Sequence, residues 1–273
     1  MNLKEAVLSG GLRTKIFEGQ SNRPAPLITV VTVVRNGRKT IERTILSVIN
    51  QTYTNIEYII VDGMSSDGTL DIIMKYEDKI DYWISASDNG IYDAMNKGID
   101  QATGKWILMV NSDDCFIDNM VLEKICGELL KTHADIVHGN MIVVYPNGRK
   151  RHIIPAKEDI LRKKMCLNHG TCFIRNTVYE KKRYNWQYKI AGDYDFLLWC
   201  YINNISFEYI DESIILFSAE GVTGRPSLGN MDAYKIWKNY FGNPKAFLFF
   251  FRDTFPKIIK IPIKLILLKL GLY

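Results

Sequence analysis

LITVVTVVRNGRKTIERTILSVIN, residues 27–50, joins two unlike periodicities. Its first eight residues are apolar or β-branched with no polar alternation, the pattern of a strand buried on both faces. After the polar break Arg35-Asn36-Gly37, Thr40 precedes Ile41, Ile45, Val48 and Ile49, whose i, i+4, i+7, i+8 spacing marks one face of a helix. The same unit repeats outward. EYIIVD (57–62) precedes a helical face begun by Leu70, Ile73 and Met74, and YWISAS (82–87) precedes a helix from about Ile91 to Ala102. KWILMV (105–110) precedes a helix expected from an Asp118 cap to about Thr132. Such alternation predicts an α/β fold, a mostly parallel central sheet flanked by helices on both faces. Beyond residue 134 DIVHG, MIVVY and RHII lie around Pro146-Asn147-Gly148, a hairpin signal, so antiparallel strands are expected to extend the sheet.

The 273 residues fit one large α/β domain or two small ones, and 47% apolar content supplies a sizeable core. Six of the basic residues (Lys245, Arg252, Lys257, Lys260, Lys264, Lys269) and one acid, Asp253, fall in residues 245–273, leaving 29 of each sign in residues 1–244. The tail thus carries the whole net charge of +5, and a neutral body argues against a nucleic-acid partner. The five cysteines are odd in number and form no CxxC pair, so neither a disulfide framework nor a structural zinc is expected, and a reducing compartment fits. The first 26 residues lack a signal-peptide core. Gly63 and Gly68 have P-loop spacing, but Thr69-Leu70 stands where Lys-Ser/Thr is required, and no GxGxxG, HExxH or GxSxG occurs.

Ligands of open α/β sheets bind at the carboxyl ends of strands. Here four successive strands end in Arg35-Asn36-Gly37, Asp62-Gly63, Ser87-Asp88-Asn89-Gly90 and Asn111-Ser112-Asp113-Asp114. Any one of these also makes a turn or helix cap; four at one rim indicate a site. Asp113 and Asp114 suit a hard divalent cation, Mn²⁺ or Mg²⁺, bound with substrate phosphates. They also fit the start of the turn toward Asp118.

ITVVTVVRN (28–36), QTYTNIEYIIVDGMSSDGT (51–69) and SDNGIYDAMNKGIDQATGKWILMVNSDD (87–114), in that order, resemble the nucleotide-sugar half of the family 2 glycosyltransferases with the GT-A fold, in the bacterial surface-polysaccharide branch. The resemblance extends over about residues 27–218. It implies a nucleotide-sugar donor, with Arg35, Asn36 and Asp62 holding a nucleotide, usually uridine; a carboxylate at Asp62 can accept the uracil N3–H. It places Asp88, Asp93, Asn96 and Lys97 beneath the base and diphosphate, although the last three also read as an ordinary polar helix face. The family's DxD metal motif reads Asn111-Ser112-Asp113, which keeps Asp113 as the ligand, replaces the first aspartate by an amide, and leaves Ser112 beside the donor. AGDYDFLLWC (191–200) matches the segment supplying the base of inverting members, so Asp193 inherits that role and Gly192 stands where a glutamate is usual. Asp193 also fits a helix cap. His169, in NHGTCFIRN, matches an acceptor-side position but equally fits a structural histidine before a strand. Arg225, in the loop Ala219–Asn230, is expected to contact phosphate or close over the donor, with a flexible surface loop as the alternative.

The organisation expected is an N-terminal extension (1–26), a GT-A domain (27–243, with a nucleotide-sugar half 27–115 and an acceptor half 116–243) and a basic amphipathic tail (244–273). Pro256 and Pro262 interrupt the tail, so no apolar run approaches the ~20 residues of a spanning helix. Lysines among large apolar residues suit an anionic membrane surface; Phe247, Leu248, Phe250 and Phe251 also fit a helix docked on the body. The reading is an inverting, metal-assisted hexosyltransferase of the cytoplasm, peripheral at the inner face of the cell membrane, acting on a lipid-linked or glycan acceptor. A nucleotidyltransferase acting on sugar phosphates and a non-catalytic nucleotide-sugar-binding protein are the alternatives; the first needs a basic glycine-rich loop that Arg35–Lys39 only faintly approaches.

Overall fold

The computed structural model describes residues 7–15, 28–219, 226–244 and 246. Leu8–Gly10 (β1) and a short helix, Leu12–Lys15 (α1), precede Ile28–Val34 (β2). Then come Ile41–Ile49 (α2), Ile56–Asp62 (β3), Thr69–Lys75 (α3), Tyr82–Ser85 (β4), Ile91–Gln101 (α4) and Trp106–Met109 (β5). β2 runs parallel to β3 and β5, and β3 parallel to β4, as the strand–helix alternation requires.

Both faces of β2 are covered. Val31 and Val33 pack in one layer with Met95 and Ile99 of α4, whereas Val30 and Val34 pack in the other with Ile41, Ile45 and Val48 of α2. The strand therefore has no polar face, which is why its sequence lacks alternation. Each fully buried aliphatic side chain of this kind contributes about 1.5–3 kcal/mol. Its two buried threonines are partnered: Thr29 Oγ1 donates to Glu57 (2.5 Å), and Thr32 Oγ1 accepts from Tyr58 Oη (3.2 Å).

The second half comprises Cys115–Phe116 (β6), Val121–Lys131 (α5), Ile136–Val144 (β7), Lys150–Ile153 (β8), Cys172–Arg175 (β9), Asn176–Lys181 (α6), Gly192–Ile202 (α7), Phe207–Ser218 (β10) and Pro226–Phe241 (α8). α5 begins three residues after Asp118, because Asp118 Oδ1 accepts Met120 N–H (2.8 Å) and closes a turn ahead of the helix. DIVHG and MIVVY run together as β7, and the turn at Pro146–Gly148 returns the chain antiparallel as β8. Among the described residues one sheet forms in the order β1-β4-β3-β2-β5-β9-β7-β10-β6, with β8 on β7. The parallel core with antiparallel additions is the expected GT-A arrangement. The chain moves from β2 outward through β3 to β4, then returns to β5 on the other side of β2. That reversal opens a crevice at the carboxyl ends of β2 and β5.

Candidate active site

Asp62 ends β3 fully buried. Its Oδ2 accepts Ser65 N–H (3.1 Å) and Ser85 Oγ–H (2.6 Å), and its Oδ1 has no hydrogen-bond partner among the described residues. Gly63 lies so close to Asp88 that a Cβ there would run into Asp88 Oδ2 and stand 3.4 Å from Arg35. Glycine thus lets Asp88 and Arg35 converge beside Asp62. Asn36 takes up a left-handed conformation (φ 54°) and braces the loop after β3: its Oδ1 accepts Ser66 N–H (2.9 Å) and its own N–H donates to Ser65 Oγ (2.7 Å). Asp93 Oδ2 accepts Asn89 N–H (2.9 Å) and meets Lys97 Nζ (3.3 Å), which also donates to Ser87 O (2.5 Å). Burial would raise the Asp93 pKa, but these partners hold it below the ordinary value. Asn96 forms a two-way bridge to the backbone of Tyr184 (2.8 and 3.0 Å). The role its hydrogen bonds show is to tie α4 to the segment between α6 and α7.

The turn after β5 is gripped from behind by α2. Thr44 Oγ1 lies within hydrogen-bond distance of Ser112 O (2.9 Å) and Asp114 O (2.7 Å), and Arg43 donates to Asp113 O (2.6 Å). The backbone of the turn is thus held independently of its side chains. Ser112 Oγ faces Gly37 across the crevice, 3.4 Å from where a Cβ would stand. Asp114 is buried, its Oδ1 accepting Ser218 N–H (3.0 Å); burial and then the neighbouring Asp113 push its pKa up to about 7. Burial also raises Asp113, against the pull of Arg43. Asn111 Oδ1 is buried and unpartnered among the described residues. Two carboxyls with raised pKa values and an orphaned amide oxygen are what a divalent cation would relieve. Among the described residues no group of three or more His, Cys, Asp or Glu side chains is placed to hold a metal. A cation held by Asp113 and Asn111 would have to complete its shell with oxygens of a bound ligand and water.

Asp193 is the second residue of α7. Its Oδ2 lies 3.1 Å from His169 Nδ1, and its Oδ1 accepts Tyr194 N–H (2.9 Å) and Tyr92 Oη–H (3.1 Å). The two side chains are 18% and 13% exposed, so this pair is sheltered yet reachable. Burial opposes charge on both partners. On Asp193 the hydrogen bonds from His169, Tyr194 and Tyr92 prevail and hold its pKa below the ordinary value. On His169 the bond and charge of Asp193 prevail and raise it. Gly192 packs against the Tyr92 ring, where a Cβ would stand 2.7 Å from a ring carbon, so the glutamate usual in the family has no room here. The sequence reading missed Tyr92; its one signal was its place inside DNGIYDAMNKG.

A cavity of about 360 Å³ lies between the turn after β5 and the start of α7. Asn111 from the turn after β5, His169 from the turn before β9 and Asp193 from α7 all line it, with apolar walls that include Met141, Met165 and Phe217. Arg225 and residues 247–273 lie outside the described residues.

The sequence profile of glycosyl transferase family 2 matches residues 29–201. This chain belongs to that family. Among curated relatives, a PGL/p-HBAD biosynthesis glycosyltransferase of Mycobacterium bovis is 28% identical over 184 residues, covering 66% of this chain and 71% of the relative. An uncharacterized glycosyltransferase of Haemophilus influenzae is 33% identical over 138 residues, 50% of this chain and 55% of its own. Among solved structures, S. aureus TarS 1–349 in complex with UDP superposes with a TM-score of 0.60 at 22% identity. The match covers 77% of this chain but 64% of that one, less than two thirds of its length. A mannosyltransferase from Pyrobaculum calidifontis, in complex with GDP-Man and Mn²⁺, superposes with a TM-score of 0.61 at 13% identity over 80% of this chain and 65% of that one. At such identities these neighbours establish the GT-A fold of this glycosyltransferase.

Proposed function

We propose that this glycosyltransferase moves a sugar from a UDP-sugar to a hydroxyl of a lipid-linked acceptor, with inversion at the anomeric carbon. The observation that carries the reading is the single cavity lined by Asn111, beside Asp113, and by the Asp193–His169 pair. Arg35 and Asp88 flank the nucleotide, and the unpartnered Asp62 Oδ1 accepts the uracil N3–H. Asp193 takes the proton of the acceptor hydroxyl, whose oxygen forms the new bond to the anomeric carbon. The bond from that carbon to the diphosphate breaks, and UDP leaves with the electron pair. One displacement inverts the centre. His169, on Oδ2, holds the carboxylate in place and favours its ionised form. Mn²⁺ or Mg²⁺, held by Asp113 with Asn111 and Ser112 beside it, would supply neutralisation of the departing diphosphate. The apolar walls of the cavity suit an acceptor whose hydroxyl is carried next to an apolar group.

Incubating the protein with labelled nucleotide sugars, with and without Mn²⁺, tests the reading. UDP release coupled to label transfer supports it; pyrophosphate release would mark a nucleotidyltransferase, and binding without turnover a non-catalytic protein. Asp62→Ala should weaken UDP binding by about 1.5–3 kcal/mol, the scale of a hydrogen bond to a charged group, and relax base selectivity without abolishing chemistry. Unchanged UDP affinity by calorimetry would remove Asp62 from the nucleobase site.

Among the described residues no helix is long and apolar enough to cross a membrane. The basic tail supports a peripheral seat at the inner membrane face, each lysine adding on the order of 1 kcal/mol at an anionic surface. Ala246 is buried in the core layer shared with α7 and α8, so a truncation belongs after it. Removing residues 247–273 should abolish flotation with anionic vesicles and sharply lower transfer to a lipid-linked acceptor, while UDP binding survives. A full-length protein that ignores such vesicles at low salt would refute the membrane seat.

A further inference from the structure

α8 lies beyond the residues matched by the family profile, yet it grips the segment that leads into α7. Asp232 on α8 is 4% exposed. Its Oδ2 accepts three consecutive backbone N–H groups: Lys189 (2.7 Å), Ile190 (2.9 Å) and Ala191 (3.4 Å). Ala191 is the N-cap of α7, and Asp193 follows two residues later. Successive amides pointing at one spot form an anion nest. Here the anion is the protein's own carboxylate, which can stay buried because donors surround it.

The same segment is held from other directions. Tyr92 Oη lies 2.5 Å from Ile190 O and 3.1 Å from Asp193 Oδ1. Five residues beyond Asp232, Trp237 donates its indole N–H to Tyr194 Oη (2.8 Å), which in turn donates to Leu161 O (2.8 Å). α8 thus holds the peptides before Asp193 and the side chain after it. Nothing in the local sequence marked Asp232, an acid in an otherwise ordinary polar helix.

We infer that Asp232 is a positioning residue for the transfer reaction: by seating the 189–191 backbone it sets where α7 presents the Asp193 carboxylate to the acceptor. This rests on the reading of Asp193 as the base. Displacing a reacting group by about 1 Å can cost up to ~100-fold in rate, so a clamp two residues from the base has kinetic leverage that its distance from the substrate would not suggest.

The test is a double-mutant cycle in the full-length protein, with kcat, acceptor KM and UDP affinity measured for each variant. Asp232→Ala should lower kcat by about 10- to 100-fold while UDP affinity stays within about two-fold of wild type. In an Asp193→Asn background, Asp232→Ala should cost less than about two-fold more, because the two residues act as one unit. Asp232→Asn keeps an acceptor oxygen but loses the charge, and should fall between wild type and alanine with faster amide exchange at Lys189–Ala191. If the alanine variant does not fold, the asparagine variant decides, and wild-type kcat there overturns the proposal. So does an undiminished kcat in Asp232→Ala, a full additional loss in the Asp193→Asn background, or a parallel loss of UDP affinity. An active Asp193→Asn alone would instead refute the base assignment, so the two failures remain distinct.

Discussion

Asp193→Asn should transfer sugar at least ~100-fold more slowly than wild type while folding normally and binding UDP with unchanged affinity. The substitution is nearly isosteric. The amide oxygen can still accept from Tyr194 N–H or Tyr92 Oη–H, so the start of α7 keeps its place. What disappears is the lone pair with enough basicity to take the acceptor proton, together with the charge facing His169. A pH profile adds a second reading. Because partners hold the Asp193 pKa below the ordinary carboxylate value, a base at Asp193 would stay ionised through mildly acidic pH, and activity lost to its protonation should fall away only below that value. Because Asp193 raises the His169 pKa against the effect of burial, His169 should titrate at lower pH in Asp193→Asn, which proton NMR of the imidazole can follow. Transfer at near-wild-type rates in this variant would exclude Asp193 as the base.

Asp113→Ala should cost ~100-fold or more in metal-supported transfer and weaken metal-dependent UDP binding alongside it, since neutralising the diphosphate is worth several kcal/mol. The backbone of the turn is held by Thr44 and Arg43, so removing the side chain should leave the turn in place. Loss of UDP binding only when metal is present would distinguish a lost ligand from a collapsed loop. The companion variant, Asn111→Asp, restores the first carboxylate of the family motif and should raise affinity for Mn²⁺. Full activity in EDTA, with Asp113→Ala harmless, would end the metal assignment.

The sequence made the β2–β5 segment legible because its physics is local. A strand buried on both faces shows as an unbroken apolar run, as in Ile28–Val34, and helices such as Ile41–Ile49 show as a 3.6-residue stripe. The polar strand ends at Arg35, Asp62, Asp88 and Asn111–Asp114 stand out in the sequence through the rule that open sheets bind at that rim. The parts that escaped depend on contacts between distant residues. Tyr92 reaches Asp193 across 101 positions, and Asp232 reaches Ala191 across 41; neither pairing leaves a periodic trace. Asn96 looked like one polar residue on a helix face until Tyr184 came to meet it. Asp118 suits a cap as well as a turn, because both use a side-chain hydrogen bond to an amide two residues on.

β9 is hydrogen-bonded to β5 on one side and to β7 on the other. The strand that covers the outer edge of β5 therefore comes from far along the chain, with Trp106 opposite Arg175. Until residues near 175 have been synthesised, β5 has an open edge of unpaired backbone groups, the kind of edge that recruits other chains. Such non-local pairing slows folding, because a long loop must close before any contact rewards it. The β2–β5 segment thus depends on a strand made much later in the chain to close its edge.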